Sequence, residues 1–273
     1  MILSSDASWL DSWQEATQCP ESFGALCFGK IPFGFISADR AVVLSASGLL
    51  RREQNRFVML ESENSITRSE ILARAGEVLC QHGLAPHPSG EALDLFALTT
   101  ASPLHTSGKP LCCIDRAFSR AFGALTSVVH LTAFNAEGFV LGRRSATKRI
   151  GPGLWDSLAA GMVRSGETPE ETLIREAKEE AGILLDELHD IQALPLRLRF
   201  QELPGEGCLL ERTYPFATQL PENLLLRPRP KEVDCFATFS LREVHQLLAV
   251  GGIMGEAAAS IEECFRSCLG PRY

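Results

Sequence analysis

Three glutamates that lie close together in the chain have the spacing of a metal-binding carboxylate cluster. Glu176, Glu179 and Glu180 occupy positions i, i+3 and i+4, which share one face of an α-helix. Like charges at this spacing repel each other by about 0.2–0.5 kcal/mol per pair, so we expect a neutralising cation. Mg²⁺ or Mn²⁺ suits carboxylate oxygens and leaves positions for water and phosphate, whereas a solvated acidic face is the alternative interpretation. Arg175, one turn from Glu171 and Glu179, is predicted to orient the carboxylates.

Helix-start and helix-stop signals flank these glutamates. Thr168 and Glu171 have the spacing of a capping box, and Pro169 suits the first helical turn because its missing N–H has no intrahelical partner there. Gly182 is able to adopt the left-handed conformation that often ends a helix. The sequence therefore predicts a helix over about residues 169–181.

The helix is part of a longer pattern of fixed spacing. The pattern consists of Gly161, Glu167, Arg175-Glu176, Glu179-Glu180 and Gly182, separated by five, seven, two and one residues. This is the Nudix box, and the segment resembles the Nudix hydrolase family, whose members cleave diphosphates with divalent metal ions. The resemblance implies that Glu176, Glu179 and Glu180 bind the metal with the carbonyl of Gly161, while Glu167 braces the loop. It also implies an α/β/α sandwich around a mixed sheet.

Four cations precede the box in a chain that is otherwise acidic. They are Arg143, Arg144, Lys148 and Arg149. These side chains are candidates for holding phosphate oxygens, and a solvated loop that balances the acidic helix is the alternative.

The region 114–166 resembles a particular Nudix subgroup that in some fungi is fused to thiamine pyrophosphokinase and carries an extra N-terminal domain. The matching residues are Arg144-Ser145, Lys148, Pro152-Gly153 and Asp156. The later segment 216–236 also resembles the subgroup, except that Lys231 stands where glycine is expected. Members of this subgroup act on thiamine diphosphate and preferentially on its oxidised analogues, releasing the monophosphate. The resemblance therefore implies that substrate, with Arg143, Arg144, Lys148, Trp155 and Asp156 as candidate binding residues.

Two roles stay open at the level of sequence. Trp155 is able to stack on a flat cationic heterocycle, worth about 0.5–2 kcal/mol, or to pack its own loop against the sheet. The residue that takes the proton of the attacking water is Glu176 or a residue from a later loop, such as Glu232. Glu176, Glu179 and Arg175 are the candidate catalytic residues.

Composition is ordinary for a globular protein, and the Nudix resemblance implies a small-molecule diphosphate as substrate. The 273 residues are 45% hydrophobic and 22% charged, and the net charge of −8 does not favour nucleic acid as a partner. We expect no membrane association and a cytoplasmic location, because long apolar runs and signal-peptide features are lacking. Nine scattered cysteines without a CxxC pair fit reduced thiols. The oligomeric state is open between monomer and homodimer.

The turn-forming stretch 99–110 predicts a boundary between a small α+β domain, 1–110, and a Nudix domain, 111–273. The first is expected to contain helices over 8–17 and 65–82. Its strands are predicted over 23–28, 33–37, 41–45 and 56–60. The second is expected to contain strands over 126–134, 139–142, 191–200, 208–218 and 233–239, with helices over 241–250 and 256–269.

Three other functions compete with the thiamine interpretation. Isopentenyl-diphosphate isomerase needs a cysteine acid/base and a histidine-rich metal site, where this chain has Ala159-Ala160. A non-enzymatic Nudix sensor usually loses box glutamates, which are all present here. A Nudix pyrophosphatase acting on nucleotide-type substrates, such as nucleoside diphosphate sugars, ADP-ribose, NADH or oxidised nucleotides, is the main alternative, because the box specifies the chemistry and the pocket selects the leaving group.

Overall fold

The computed structural model describes residues 22–54, 56–60, 67–98 and 109–269. The predicted helix over 8–17 and most of the predicted linker lie outside these ranges. Grouping by contacts divides the chain into two compact units. The first consists of the residues up to Ser127 with Arg164–Gly166 and Leu198–Arg212, and the second of Val128–Val163, Glu167–Arg197 and the residues from Thr213 on.

The first unit is built on a four-stranded sheet and two helices. Its elements in chain order are β1 Phe23–Phe28, β2 Ile31–Ser37, α1 Ala38–Ala46, β3 Leu50–Glu53, β4 Arg56–Met59 and α2 Arg68–Gln81. The strand order is β2-β1-β4-β3, with β1 and β4 parallel and the other two pairs antiparallel. The second half of β1 and one face of each helix are buried, as expected for layers that share one apolar core.

A short antiparallel hairpin completes the described part of this unit. Its strands are β5 Ala92–Leu95 and β6 Cys112–Asp115, and a 3-10 turn follows at Arg116–Phe118. The turn presents Phe118 to α2, where its ring is almost fully buried. These four-residue strands were not expected, because such short runs give little periodic signal.

The second unit contains most of an eight-stranded sheet. The strands are β7 Leu125–Phe134, β8 Phe139–Arg144, β9 Trp155–Asp156, β10 Ala159–Met162, β11 His189–Ala193, β12 Arg197–Leu203, β13 Gly207–Gln219 and β14 Val233–Phe239. The main order is β11-β13-β7-β8-β14, while β10 pairs with β7, β12 with β13 and β9 with β8. β7 and β8 are therefore central, and β9 and β10 bring the loop before the acidic helix to their edges.

Helices cover both faces of this sheet. They are α3 Pro169–Glu176, α4 Leu241–Ala249 and α5 Gly255–Cys264, with π-helical turns at Ala177–Ala181 and Phe265–Leu269 and a 3-10 turn at Leu185–Glu187. Val140 of β8 packs in one apolar cluster with Leu173 of α3, whereas its neighbour Leu141 packs in a second cluster with Val244 and Ile261. Alternate strand residues thus face opposite helix layers. This arrangement confirms the predicted α/β/α sandwich.

Two predicted strands were wrong. Residues 41–45 belong to α1, because burial of Arg40, Ala41 and Leu44 follows helical spacing and overrides the strand preference of the Val42-Val43 pair. The predicted strand 191–200 is split into β11 and β12 around Pro195, which has no N–H to donate to a sheet.

The start of helix α2 differs from the predicted position. Helix α2 begins after Thr67, whose side chain and that of Glu70 form a capping box, while Ser65 lies outside the described residues. The predicted domain boundary at 110/111 stays a prediction, because grouping by contacts does not identify parts that fold separately.

None of the helices in the described residues combines the length and the apolar character needed to cross a membrane. The eight described cysteines carry free thiols.

Gly76 in α2 provides a test of the packing in the first unit. A Cβ at this position would lie 2.2 Å from Cδ2 of Phe118. Glycine to alanine in an exposed helix stabilises by about 1 kcal/mol, but here we expect Gly76→Ala to destabilise by about 1–3 kcal/mol because the ring must move. Urea unfolding measures the change. In the Phe118→Leu background the same substitution should become neutral or stabilising, and a stabilising effect in the wild-type background would contradict the described packing.

Candidate active site

Helix α3 forms as its sequence signals require. Thr168 Oγ1 accepts from the N–H of Glu171 at 3.1 Å, and the N–H of Thr168 donates to the Glu171 carboxylate at 2.8 Å. Pro169 occupies the first turn, and Gly182 ends the helical segment with φ of 69°. The last five residues, however, form a π-helical turn rather than α-helix. The spacing of Glu176, Glu179 and Glu180 is therefore not that of a regular α-helix.

The three glutamates differ in exposure. About an eighth of each side chain is exposed for Glu176 and Glu180, at 12% and 13%, against 38% for Glu179. The contacts of the first two lead to strand β10, where Gly161 approaches Glu176 and the N–H of Ala160 donates to Glu180 Oε2 at 3.0 Å. The structure therefore directs two carboxylates at the edge strand and leaves the third closer to solvent.

Gly161 is required by the position of Glu176. A Cβ built on Gly161 would lie 1.9 Å from Oε1 and 2.1 Å from Cδ of Glu176, which is far inside van der Waals contact. Gly161 is held in place by pairing with Val129 of β7. Any side chain at this position would thus displace the carboxylate.

Arg175 connects the acidic helix to the loop that precedes it. Its Nε and NH2 donate to the two oxygens of Glu167 at 2.9 and 2.8 Å, and NH2 also donates to the carbonyl of Met162 at 3.1 Å. NH1 lies 2.5 Å from Glu176 and 3.7 Å from Glu179. Burial alone would lower the pKa of Arg175, but the hydrogen bonds and charges of Glu167 and Glu176 outweigh it and raise the pKa. The guanidinium is therefore permanently charged.

Glu180 is in an environment short of positive charge. Burial raises its pKa to about 8, with further increases from the charges of Glu176 and Asp156. The Ala160 N–H and the charge of Lys148 act in the opposite direction but do not balance the increase. A cation close to this carboxylate would therefore be strongly favoured.

Lys148 and Glu232 lie together beside Glu180. The ammonium of Lys148 forms an ion pair with Glu232 and is 4.0 Å from Glu180 Oε1. The N–H of Ser145 donates to the carbonyl of Glu232 at 3.0 Å, which ties the loop after β8 to the start of β14. Lys148, a candidate for phosphate binding, and Glu232, a candidate proton acceptor, are thus neighbours.

The end of the acidic helix is also fixed to the segment that leads to Glu232. The N–H groups of Arg227 and Arg229 donate to the carbonyls of Ala181 and Glu180 at 2.8 and 3.3 Å. Carbonyls at a helix end have no intrahelical partner, so these backbone bonds satisfy them.

Arg144 and Asp156 are engaged with each other. Arg144 NH1 donates to Asp156 Oδ2 at 2.6 Å, and Nε and NH2 donate to the carbonyl of Ile150 at 3.1 and 2.9 Å. Asp156 is buried, and its other oxygen accepts from the N–H of Ser157. These contacts favour a role in shaping the loop over direct contact with phosphate. The side chain of Arg143 is exposed, and its Nε donates to the carbonyl of Gly153 at 3.3 Å.

Trp155 packs in the apolar cluster beneath α5. Its ring meets Phe239 edge to face, with centroids 4.7 Å apart, and its backbone bonds to Gly252 and Met254. Of the two roles considered from sequence, this geometry favours packing of the loop against the sheet.

The donors near Glu176 suit a hard divalent cation. In the described ranges, no three acidic, histidine or cysteine side chains already converge on a single point. Three carboxylates, one of them with a raised pKa, and a backbone kept bare by Gly161 nevertheless provide only oxygen donors and excess negative charge. These are the properties that Mg²⁺ and Mn²⁺ require.

Some site contacts were not evident from the sequence. The pairing of Arg175 with Glu167 spans eight residues, which is not a helical spacing, and the role of the Met162 carbonyl has no side-chain signal. In the sequence, the seven-residue separation of Glu167 and Arg175 within the Nudix box is the signal that could have indicated this contact.

Comparison with known proteins finds a family model that matches just under half of the chain. The model of the NUDIX domain matches residues 124–257. Isopentenyl-diphosphate Delta-isomerase of Corynebacterium diphtheriae is 27% identical over 147 residues, 54% of this chain and 69% of that protein. The uncharacterised Nudix hydrolase PA4841 of Pseudomonas aeruginosa is 37% identical over 76 residues, 28% of this chain and 45% of that protein. The uncharacterised protein YJR142W of Saccharomyces cerevisiae is 24% identical over 152 residues, 50% of this chain and 44% of that protein. The match thus spans about two thirds of the isomerase and less than half of the other two.

Gly161→Ala tests the seating of Glu176. We expect the added methyl group to displace the carboxylate and weaken Mn²⁺ binding about tenfold or more, at an overpacking cost of about 1–3 kcal/mol. Electron paramagnetic resonance of free Mn²⁺ gives the affinity. Ala160→Gly is the matched control, because it removes a methyl group next door and keeps the N–H that binds Glu180. Unchanged Mn²⁺ affinity in a folded Gly161→Ala variant would show that Glu176 is not a ligand.

Proposed function

Residues 124–257 form a Nudix domain, and on that premise we propose that the protein is a Mg²⁺-dependent hydrolase that cleaves a diphosphate linkage, with thiamine diphosphate or its oxidised analogues as substrate and the monophosphate as product. The domain confirms the predicted enzyme class, a Nudix hydrolase acting on phosphorus-containing anhydrides. The finer assignment of substrate rests on resemblance of the segments 114–166 and 216–236 to the thiamine-related subgroup.

The observation that carries the proposal is the pair of carboxylates directed at β10. Glu176 sits against the bare backbone of Gly161, and Glu180 is fixed by the N–H of Ala160. Burial of two acidic groups side by side is unfavourable unless a cation joins them. A fold that maintains this arrangement is suited to binding a divalent ion between protein and substrate oxygens.

The metal would be held by Glu176, Glu179, Glu180 and the carbonyl of Gly161. When bound, Mg²⁺ or Mn²⁺ supplies neutralisation of the diphosphate oxygens and polarisation of a water. Arg175 fixes Glu176 relative to the loop through its paired bonds to Glu167. The protein's own contribution is thus a preorganised set of oxygens, which avoids reorganisation during the reaction.

Cations and a proton acceptor lie at the edge of the same site. Lys148 is next to Glu180 and Glu232, so its ammonium is placed to bind a phosphate oxygen near the carboxylates. Exposed Arg143 is a second candidate for phosphate. Glu232 and Glu176 are both candidates to accept the proton of the attacking water, as their coupled charges do not assign the base to one of them.

Nudix pyrophosphatase activity on nucleotide-type substrates is the alternative. Since Trp155 is packed against Phe239, stacking of a thiazolium ring on this side chain does not support the thiamine assignment. Trp155 is therefore not proposed as a residue that selects the leaving group. Isomerase chemistry is disfavoured despite the 27% identity to an isomerase, because Ala159 and Ala160 offer neither a thiol nor an imidazole.

Glutamine substitutions test the role of the carboxylates. We expect Glu179→Gln and Glu180→Gln each to lower kcat by about 100-fold or more while folding is retained, because an amide is a poor ligand for Mg²⁺. Glu170→Gln is the matched control, since Glu170 lies on the same helix, is exposed and should retain wild-type kcat. Steady-state rates and circular dichroism provide the readouts. Wild-type kcat in both site variants would refute the metal-site assignment.

A substrate panel with Mg²⁺ separates the candidate functions. We expect thiamine diphosphate and its oxidised analogues to yield the monophosphate and orthophosphate, and to be turned over faster than ADP-ribose, NADH, nucleoside diphosphate sugars or nucleoside triphosphates. Chromatography identifies the products. Turnover of a nucleotide substrate with inert thiamine compounds would overturn the substrate and leave hydrolysis in place. Isomerised isopentenyl diphosphate without phosphate release would overturn both.

A further inference from the structure

The loop between Gly161 and Glu167 is bound to strand β5. The N–H of Ser165 donates to the carbonyl of Ala92 at 2.8 Å, and Ser165 Oγ donates to Asp94 Oδ1 at 2.7 Å. The N–H of Gly166 donates to the other oxygen, Asp94 Oδ2, at 3.2 Å. One half-buried carboxylate therefore holds two consecutive residues of the loop.

Neighbouring side chains strengthen this attachment. Arg164 Nε lies 3.2 Å from Glu91 Oε1, and Arg116 NH1 lies 2.8 Å from Glu91 Oε2. Burial opposes ionisation of Glu91, yet the two guanidinium groups outweigh it and lower its pKa. The thiol of Cys113 lies 3.2 Å from Ser165 Oγ. Three loop residues in succession, 164–166, are therefore fixed.

The segment 164–166 lies between the two groups that Arg175 binds. Met162, whose carbonyl accepts from Arg175, precedes the segment, and Glu167, whose carboxylate accepts two bonds from Arg175, follows it directly. With the middle of the loop fixed, its two ends have little freedom to move relative to each other. The guanidinium of Arg175 then finds its acceptors, the Met162 carbonyl and the Glu167 carboxylate, already in position. Its bond to Glu176 fixes that carboxylate as well.

We propose that Asp94 is a positioning residue for hydrolysis, which fixes the loop 164–166 so that Met162 and Glu167 orient Arg175 and through it Glu176. The inference rests on the proposed function. Asp94 precedes residue 124 and so lies outside the segment matched by the NUDIX model, whereas Ser165 and Gly166 lie inside it.

The chemistry of Asp94 defines informative substitutions. Alanine removes both acceptors and leaves the Gly166 N–H and the Ser165 hydroxyl without them. Asparagine can still accept from Gly166 through its oxygen, while its amide donates to Ser165 Oγ, since a hydroxyl is both donor and acceptor. Hydrogen bonding should therefore survive in Asp94→Asn even though the charge is lost.

Kinetics of the full chain test the proposal. We expect Asp94→Ala to lower kcat at least tenfold with KM changed less than twofold, Asp94→Asn to stay within threefold of wild type, and Ser165→Ala to be intermediate. Gly76→Ala is the control for general destabilisation of the first unit and should keep wild-type kcat well below its melting temperature. A fall in kcat that is equal in Asp94→Ala and Gly76→Ala, or absent in Asp94→Ala, would overturn the positioning role.

Hydrogen exchange tests the same proposal without turnover. In Asp94→Ala we expect at least tenfold faster exchange of the amides of residues 165–167 and of the Arg175 Nε–H, whereas Gly76→Ala should leave them unchanged. Unaltered exchange would overturn the proposal whether or not the protein hydrolyses a diphosphate. Wild-type protein that hydrolyses none of the panel would instead refute the proposed function, with the exchange data still deciding whether Asp94 holds the loop.

Discussion

A single guanidinium holds together the acidic end of the Nudix domain. Arg175 binds the carbonyl of Met162, both oxygens of Glu167 and the carboxylate of Glu176, so it joins an edge strand, a loop and a helix. Bidentate pairing to a carboxylate defines direction as well as distance, which an ammonium would not do. The guanidinium is half-buried and permanently charged. Removal of any one acceptor would therefore leave part of its positive charge without a compensating partner.

The same region shows why the charges do not cancel. Arg175 contacts the carboxylates of Glu176 and Glu179, and Lys148 contacts those of Glu180 and Glu232. Glu180 keeps a raised pKa despite the charge of Lys148, because its carboxylate is buried and lies near the charges of Glu176 and Asp156. A divalent ion bound at this carboxylate would offset the cost of burying it.

Local signals predicted the acidic helix well. The capping box at Thr168, Pro169 and the left-handed Gly182 all act within a few residues, so their effect is readable without knowledge of the fold. The switch to a π turn at Ala177 was not predicted, since it depends on packing. Strands β1 and β14 were likewise found at the expected residues.

Contacts between distant parts of the chain were beyond the sequence. The bonds from Arg164 and Ser165 reach back 73 and 71 residues, and no spacing rule connects such pairs. The sequence identified candidate substrate-binding residues by type, as cations or aromatics. Their contacts in the folded chain determine whether they are available to a ligand. Arg144 is engaged with Asp156 and Trp155 with Phe239, so residue type alone overstated the number of groups available to a ligand.

The backbone bonds from Arg227 and Arg229 to the end of the acidic helix have a consequence for sequence change over evolution. Surface connections usually tolerate insertions and deletions, because their ends are the only fixed points. Here the connection is pinned at its middle, and Glu232 follows three residues after the second bond. Added or lost residues between Arg229 and Glu232 would shift that carboxylate away from Lys148, so length variation should be confined to the part of the connection before Arg227.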